Sequence, residues 1–136
     1  MLNRKIDSYI RDFYTNSRNA LLITGARQTG KTFSIREFGK SFKSFVEINF
    51  VDMPEAVSVF AEAKSSSDIL LRLSAITRVP LIKGDTLVFF DAVQMCPDIV
   101  TKIKFLVDAG SYRYIMSGSL LGVELTDCRS VTVGYR

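Results

Sequence analysis

The octapeptide Gly25-Ala26-Arg27-Gln28-Thr29-Gly30-Lys31-Thr32 constrains this chain more than any other stretch. Before it stands a short apolar run, Ala20-Leu21-Leu22-Ile23-Thr24, which reads as a buried strand. After it, from about Lys31 to Lys40, comes a helical pattern with Phe33 and Phe38 among its apolar residues. Gly25 and Gly30 permit backbone turns that side chains would block. Successive N–H groups can then surround an anion, and the helix starting at Lys31 adds its N-terminal dipole at the same place. The pattern is G-x-x-x-x-G-K-[ST], a P-loop. In such a loop the backbone from Gly25 to Gly30 cradles phosphates, Lys31 reaches the outer ones, and the Thr32 hydroxyl binds Mg²⁺.

The remaining sequence alternates strand and helix patterns. Ile6, Tyr9, Ile10 and Phe13 recur at helical spacing and predict a lead-in helix. Residues 45–50 read as a second strand. Asp52 and Pro54 read as a helix start, cap then early proline, with Val57, Phe60 and Ala61 facing inward. A further helix covers Asp68 to Ile76, with Ser65-Ser66-Ser67 as its boundary. Thr86-Leu87-Val88-Phe89-Phe90 has no polar alternation and predicts a central strand covered on both faces. Pro97 opens a helix carrying Val100, Ile103, Leu106 and Val107 and ending near Gly110. Tyr112 to Met116 reads as a fourth strand, and Val131 to Val133 as a last one. This order predicts an α/β domain whose sheet is mainly parallel, with its ligand at the carboxyl ends of the strands.

The apolar strand before Asp91 has the form of a Walker B segment, and Asp91 would hold the Mg²⁺ shell opposite Thr32. In hydrolysing members of the additional-strand P-loop class, a Glu usually follows this Asp and deprotonates the attacking water. Here the position is Ala92, whose methyl group accepts no proton. Losing a general base costs about 10²–10⁴-fold in rate, whereas phosphate and Mg²⁺ contacts do not depend on it. Two origins of Ala92 stay open: a natural non-hydrolysing protein, or a substitution that traps ATP. Gln94 could position water without acting as a base, against the competing reading of a solvated helix-start residue. Ser117, in Ser117-Gly118-Ser119 at the end of the fourth strand, could sense the γ-phosphate; a plain strand-to-loop turn competes.

Composition narrows the classes. There is no histidine among the 136 residues, which excludes His-based triads, proton shuttles and metal sites. Cys96 and Cys128 are far apart without C-x-x-C spacing and read as two reduced, buried thiols of a cytoplasmic protein. No apolar run approaches the roughly 18 residues of a membrane span, and the N-terminus carries charges throughout, unlike a secretory signal. The net charge of +4 suits an anionic ligand without arguing for nucleic acid. Arg27, Arg36, Lys40 and Lys43 could form a basic face around the first βα helix, against the reading of solvated helix charge.

Three segments together resemble the AAA-superfamily ATPases of archaea and bacteria that carry an N-terminal ATPase domain before a C-terminal domain of unassigned role. They are Leu22 to Thr32, then Phe90-Asp91-Ala92-Val93-Gln94-Met95-Cys96-Pro97, then Ser117-Gly118-Ser119-Leu120-Leu121-Gly122-Val123. The family's middle segment usually reads D-E-I-Q. The resemblance implies a three-layer P-loop NTPase domain with a five-stranded sheet in the order 5-1-4-3-2, the additional-strand class. It also implies ATP and Mg²⁺ as cofactors at the strand tips, with Lys31, Thr32 and Asp91 in the roles above. It makes residues 1–136 one ATPase domain, expected to be the truncated N-terminal part of a longer protein, with a natural short protein as the alternative; its own C-terminal domain, or a separate protein, would be its partner. The leading expectation is an ATP-dependent switch with hydrolysis impaired by Ala92. The alternative is a non-catalytic ATP-binding module regulating a protein or nucleic-acid partner. A small-molecule kinase would need an acceptor pocket and basic residues over the transferred phosphate, a constellation the sequence does not display. Oligomeric state is left open.

Overall fold

A computed structural model describes residues 4–25, 30–118 and 128–133. Its helices are α1 (Arg4–Asn16), α2 (Lys31–Gly39), α3 (Pro54–Glu62), α4 (Ser66–Thr77) and α5 (Ile99–Ala109). Its strands are β1 (Ala20–Gly25), β2 (Ser44–Asn49), β3 (Thr86–Asp91), β4 (Arg113–Ser117) and β5 (Cys128–Val133). Every strand pairing is parallel, and the strands lie in the order β2-β3-β4-β1-β5. Strand β4 thus sits between β1 and β3. Residues 26–29, within the glycine loop, and 119–127, which include the third motif from Ser119 to Val123, fall outside the described residues.

Side-chain alternation sorts the strands into two cores. Leu21 and Ile23 of β1, Leu87 and Phe89 of β3 and Ile115 of β4 pack with Ile6, Ile10 and Tyr14 of α1 and Ile35 of α2. Their neighbours Leu22, Val88, Phe90, Tyr114 and Met116 pack on the opposite face with α3, α4 and α5, through Phe60, Ile69, Leu73, Ile103 and Leu106. Successive strand residues point to opposite faces, so this clean split defines three layers. It also explains why β3 is apolar without interruption: both of its faces are covered. Fully burying one such side chain contributes about 1.5–3 kcal/mol.

Basic side chains from other elements close two helix ends. Lys102 of α5 donates to the carbonyls of Phe60 and Ala63 at the end of α3. Arg113 of β4 donates to the carbonyls of Tyr14 and Ser17 at the end of α1 and stacks over the Tyr14 ring, 4.9 Å from its centroid. Both arrangements satisfy carbonyls that a helix leaves unpaired at its C-terminus. The Tyr14 hydroxyl donates to the carbonyl of Tyr114 and accepts from the N–H of Leu21, tying α1 to β4 and β1.

Several local expectations change. Met53, not Asp52, occupies the N-cap of α3 and makes no side-chain bond. The Asp52 N–H is instead held by the Asn49 side chain. Ala61 is exposed; the inward positions are Ala56, Val59 and Phe60, which share one face at i, i+3, i+4 spacing, with Val57 half-buried. Ile99 takes the buried position expected for Val100, which is half-buried. In the P-loop helix Ile35 is buried while Phe33 is exposed. The serine boundary of α4 holds: Ser65 caps the helix by accepting from the Asp68 N–H at 3.1 Å.

Candidate nucleotide site at the strand tips

The parallel register brings the ends of four strands into one row. Asn49 of β2 lies beside Asp91 of β3, Asp91 beside Ser117 of β4, and Ser117 beside Ile23 of β1. Asn49, Asp91 and Ser117 have the same parity as Phe45, Phe89 and Ile115, which face α1 and α2. All three therefore face the layer that contains the P-loop helix. Two residues beyond Ile23, β1 ends at Gly25 and the glycine loop begins.

On the far side of that loop, Gly30 is the N-cap of α2 in the left-handed conformation, with φ 80°. That conformation costs a glycine almost nothing. The Ser34 N–H bonds the Gly30 carbonyl at 3.0 Å and opens the helix. Lys31 is the first helical residue and is only 6% exposed; Thr32 beside it is half-buried. A buried ammonium at a helix N-terminus, next to a glycine turn, is a donor set that fits a polyphosphate. Ala26, Arg27, Gln28 and Thr29 lie outside the described residues.

Asp91 is gripped by three donors. Its Oδ1 accepts from the Ala92 N–H at 2.8 Å and from the Ser117 hydroxyl at 3.0 Å. Its Oδ2 accepts from Asn49 Nδ2 at 3.3 Å. The Asn49 amide is itself oriented: its Oδ1 accepts from the N–H groups of Val51, at 2.8 Å, and Asp52, at 3.2 Å. Two backbone donors on the oxygen leave the NH₂ group for Asp91. Three donors fix the orientation of the carboxylate, and oxygens are the ligands a hard cation takes. Among the described residues no group of three or more Cys, Asp and Glu clusters. Thr32 and Asp91 are the residues that could supply the one or two protein oxygens Mg²⁺ takes, its shell being completed by phosphate and water.

Nearby, Arg36 of α2 makes a bidentate pair with Glu47 of β2, at 2.8 and 2.7 Å. The hydrogen bond to Glu47 is the main cause of a raised Arg36 pKa, and the Asp91 charge adds to it. Lys40 pairs with Glu37 at 2.8 Å. Two of the cations expected on a basic face are thus each matched by a carboxylate.

Ala92 follows Asp91 in the left-handed region, φ 60°, and is nearly buried. It starts the 3-10 turn Val93–Met95, which carries Gln94. The Gln94 carboxamide oxygen lies where a side chain on Gly118 would begin: a Cβ there would stand 2.5 Å from Oε1. Gln94 thus rests against the tip of β4, next to Ser117, and its residue as a whole stays exposed. Ser117 is fully buried and spends its hydroxyl proton on Asp91. Of the sequence candidates, the structure brings together Asp91 and Ser117, sets Gln94 beside them, and places Lys31 and Thr32 at the start of the facing helix. Sequence reasoning missed Asn49 and Gly118. The available signal for Asn49 was an Asx residue ending an apolar run just before a turn.

A parallel sheet covered on both faces, with a glycine-opened helix and a clamped acid at its strand tips, has the architecture of a P-loop ATP-binding module. The family model described as "AAA domain" matches residues 17–136, and the chain belongs to that family. No curated protein matches it. Solved structures do, 48 chains of them. One is the structure of C. elegans PCH-2, 13% identical, with a TM-score of 0.53 over 96% of this chain. The chain spans 40% of the PCH-2 chain, and at that identity the likeness is one of fold.

Proposed function

We propose that this domain binds Mg²⁺-ATP and acts as an ATP-dependent switch whose hydrolysis is impaired at Ala92. The carrying observation is the Asp91 carboxylate, held by Asn49, Ser117 and the Ala92 N–H on the sheet face that carries α2. In this reading the loop Gly25, Ala26, Arg27, Gln28, Thr29, Gly30 surrounds the phosphates with N–H groups, and Lys31 supplies positive charge. Thr32 and Asp91 hold Mg²⁺, which when bound neutralises phosphate charge. Gln94 orients water against the β4 tip, and Ser117 keeps Asp91 in position. Ala92 offers no proton acceptor, so water attack is slow while binding persists.

The test is nucleotide retention. The chain incubated with Mg²⁺-ATP and re-isolated should carry intact ATP, and Lys31→Ala should carry none. Absence of nucleotide from the unaltered chain would defeat the reading. A second reading, a non-catalytic module in which bound ATP sets affinity for a protein partner, is favoured by Ala92 itself. Ala92→Glu separates the two: turnover that appears supports the switch, and its absence supports the module. The left-handed backbone at this position is already borne by alanine, so Glu adds no new backbone strain. A cytoplasmic setting belongs to the same proposal, supported by the buried free thiol of Cys96. No helix among the described residues is long and apolar enough to cross a membrane. A nucleic-acid partner has less support, since Arg36 and Lys40 are already paired.

A further inference from the structure

A second concave surface lies at the opposite end of the sheet. Its walls come from α4 and from the segments that enter β3 and β4, so it sits at the amino ends of strands whose carboxyl ends form the nucleotide site. The groove measures about 600 Å³; Leu70, Leu71, Pro80 and Tyr112 line it together with the polar residues Ser74 and Arg78. Among the described residues no acidic one lines it.

Three observations single it out. Leu71 is 70% exposed, the highest value among the exposed large apolar residues described. It stands on the α4 wall of the groove beside Leu70, so its apolar surface is continuous with the lining. Next, the wall opposite α4 is anchored rather than loose. The Ser44 hydroxyl donates to the Pro80 carbonyl at 2.5 Å, and the Thr86 hydroxyl both accepts from and donates to the Ile82 backbone. The groove is therefore preformed, which lowers the ordering cost of binding. Last, Arg78 ends α4 in the left-handed conformation, φ 60°. The chain uses glycine for the same task at the end of α5, Gly110, φ 75°. Arginine carries backbone strain there that glycine would not. Among the described residues no carboxylate pairs with it; the ion pairs lie elsewhere.

We propose that this groove docks an extended segment of a partner protein in which apolar side chains flank one carboxylate, the carboxylate pairing with Arg78. Charge decides the occupant. A lining of mixed polar and apolar groups, with one cation and, among the described residues, no anion, complements a segment that joins apolar side chains to one negative charge. A nucleic-acid strand would need several cations along its path. Because this surface and the strand-tip site lie at opposite ends of the sheet, the docking reading stands whether or not the domain binds ATP.

The test begins with a random dodecapeptide phage library panned on the full chain. Selected peptides are then synthesised with a fluorophore and titrated by anisotropy. The expected winners carry Asp or Glu between apolar residues. Their affinity should fall by about tenfold or more in Arg78→Gly, which relieves the backbone and so keeps the fold. It should fall likewise in Leu71→Ser. Arg78→Glu should bind the same peptides once their acid is replaced by Lys. The proposal is overturned if no selected peptide depends on Leu71 and Arg78, or if binders show no acidic preference. It is also overturned if sedimentation shows the chain self-associating in competition with the peptides, for then a second copy fills the groove.

Discussion

Asn49→Asp exchanges one atom group and tests the strand-tip row directly. The variant keeps the carbonyl-like oxygen that accepts from Val51 and Asp52, so the turn into α3 survives. It replaces the NH₂ donor with a second oxygen facing Asp91 Oδ2 across 3.3 Å. Two unit charges at that separation repel by about 1.3 kcal/mol in water and about 5 kcal/mol at an effective dielectric of 20. The site is half-buried, so a loss of about 2–4 kcal/mol in unfolding free energy is expected at pH 8, between those limits. Two adjacent carboxylates do not both stay ionised cheaply. The folded variant therefore binds more protons than its unfolded chain, and its stability falls as pH rises. Urea unfolding at pH 5 and pH 8, with the unaltered chain as reference, reads both the size and the sign. The deficit should be larger at pH 8 and should shrink at pH 5. A deficit that is equal at the two pH values, or below about 0.5 kcal/mol at pH 8, would show that the Asn49 amide does not face Asp91.

Three other perturbations have defined outcomes. The Tyr114 hydroxyl is buried without a partner among the described residues, in a ring stack against Phe90. Tyr114→Phe should therefore leave thermal stability unchanged or raise it by up to about 1–3 kcal/mol; a clear loss would reveal a partner for that hydroxyl. Lys102→Met retains the stem but removes the donors to the Phe60 and Ala63 carbonyls. It should cost about 1–3 kcal/mol and speed amide exchange at the end of α3. Burial pushes the Cys96 thiol up to about 11. At pH 8 it should resist iodoacetamide in the folded chain and react once urea unfolds it.

The layers were legible where a single segment carries its own evidence. β3 announced itself because four consecutive apolar residues, Leu87 to Phe90, need cover on both faces, and Asp91 because an acid ends that run. Gly30 and Lys31 could be placed because their chemistry is local to one turn and one helix end. What was not legible depends on register. Asn49 and Asp91 are far apart in sequence, and only the alignment of β2 with β3 makes them neighbours. An asparagine at a strand end looks the same in sequence whether it serves a turn or an acid; here it serves both. The mistaken cap at Asp52 has the same origin. Asn49 had already claimed the N–H of Asp52, a contact no pattern in residues 52–54 encodes. Gly118 was read as part of a serine-glycine turn, yet its lack of a side chain is what admits Gln94 to the β4 tip.

The clamp between α1 and β4 gives the domain a mechanical axis. Arg113 and the Tyr114 carbonyl hold the end of the first helix at the start of β4. The same strand reaches Ser117 about 13 Å further on, at 3.3 Å per residue. A strand hydrogen-bonded on both edges stretches very little along its length. The first helix is thus joined both to β1, through Leu21, and to the strand whose far end carries the hydroxyl that steadies Asp91.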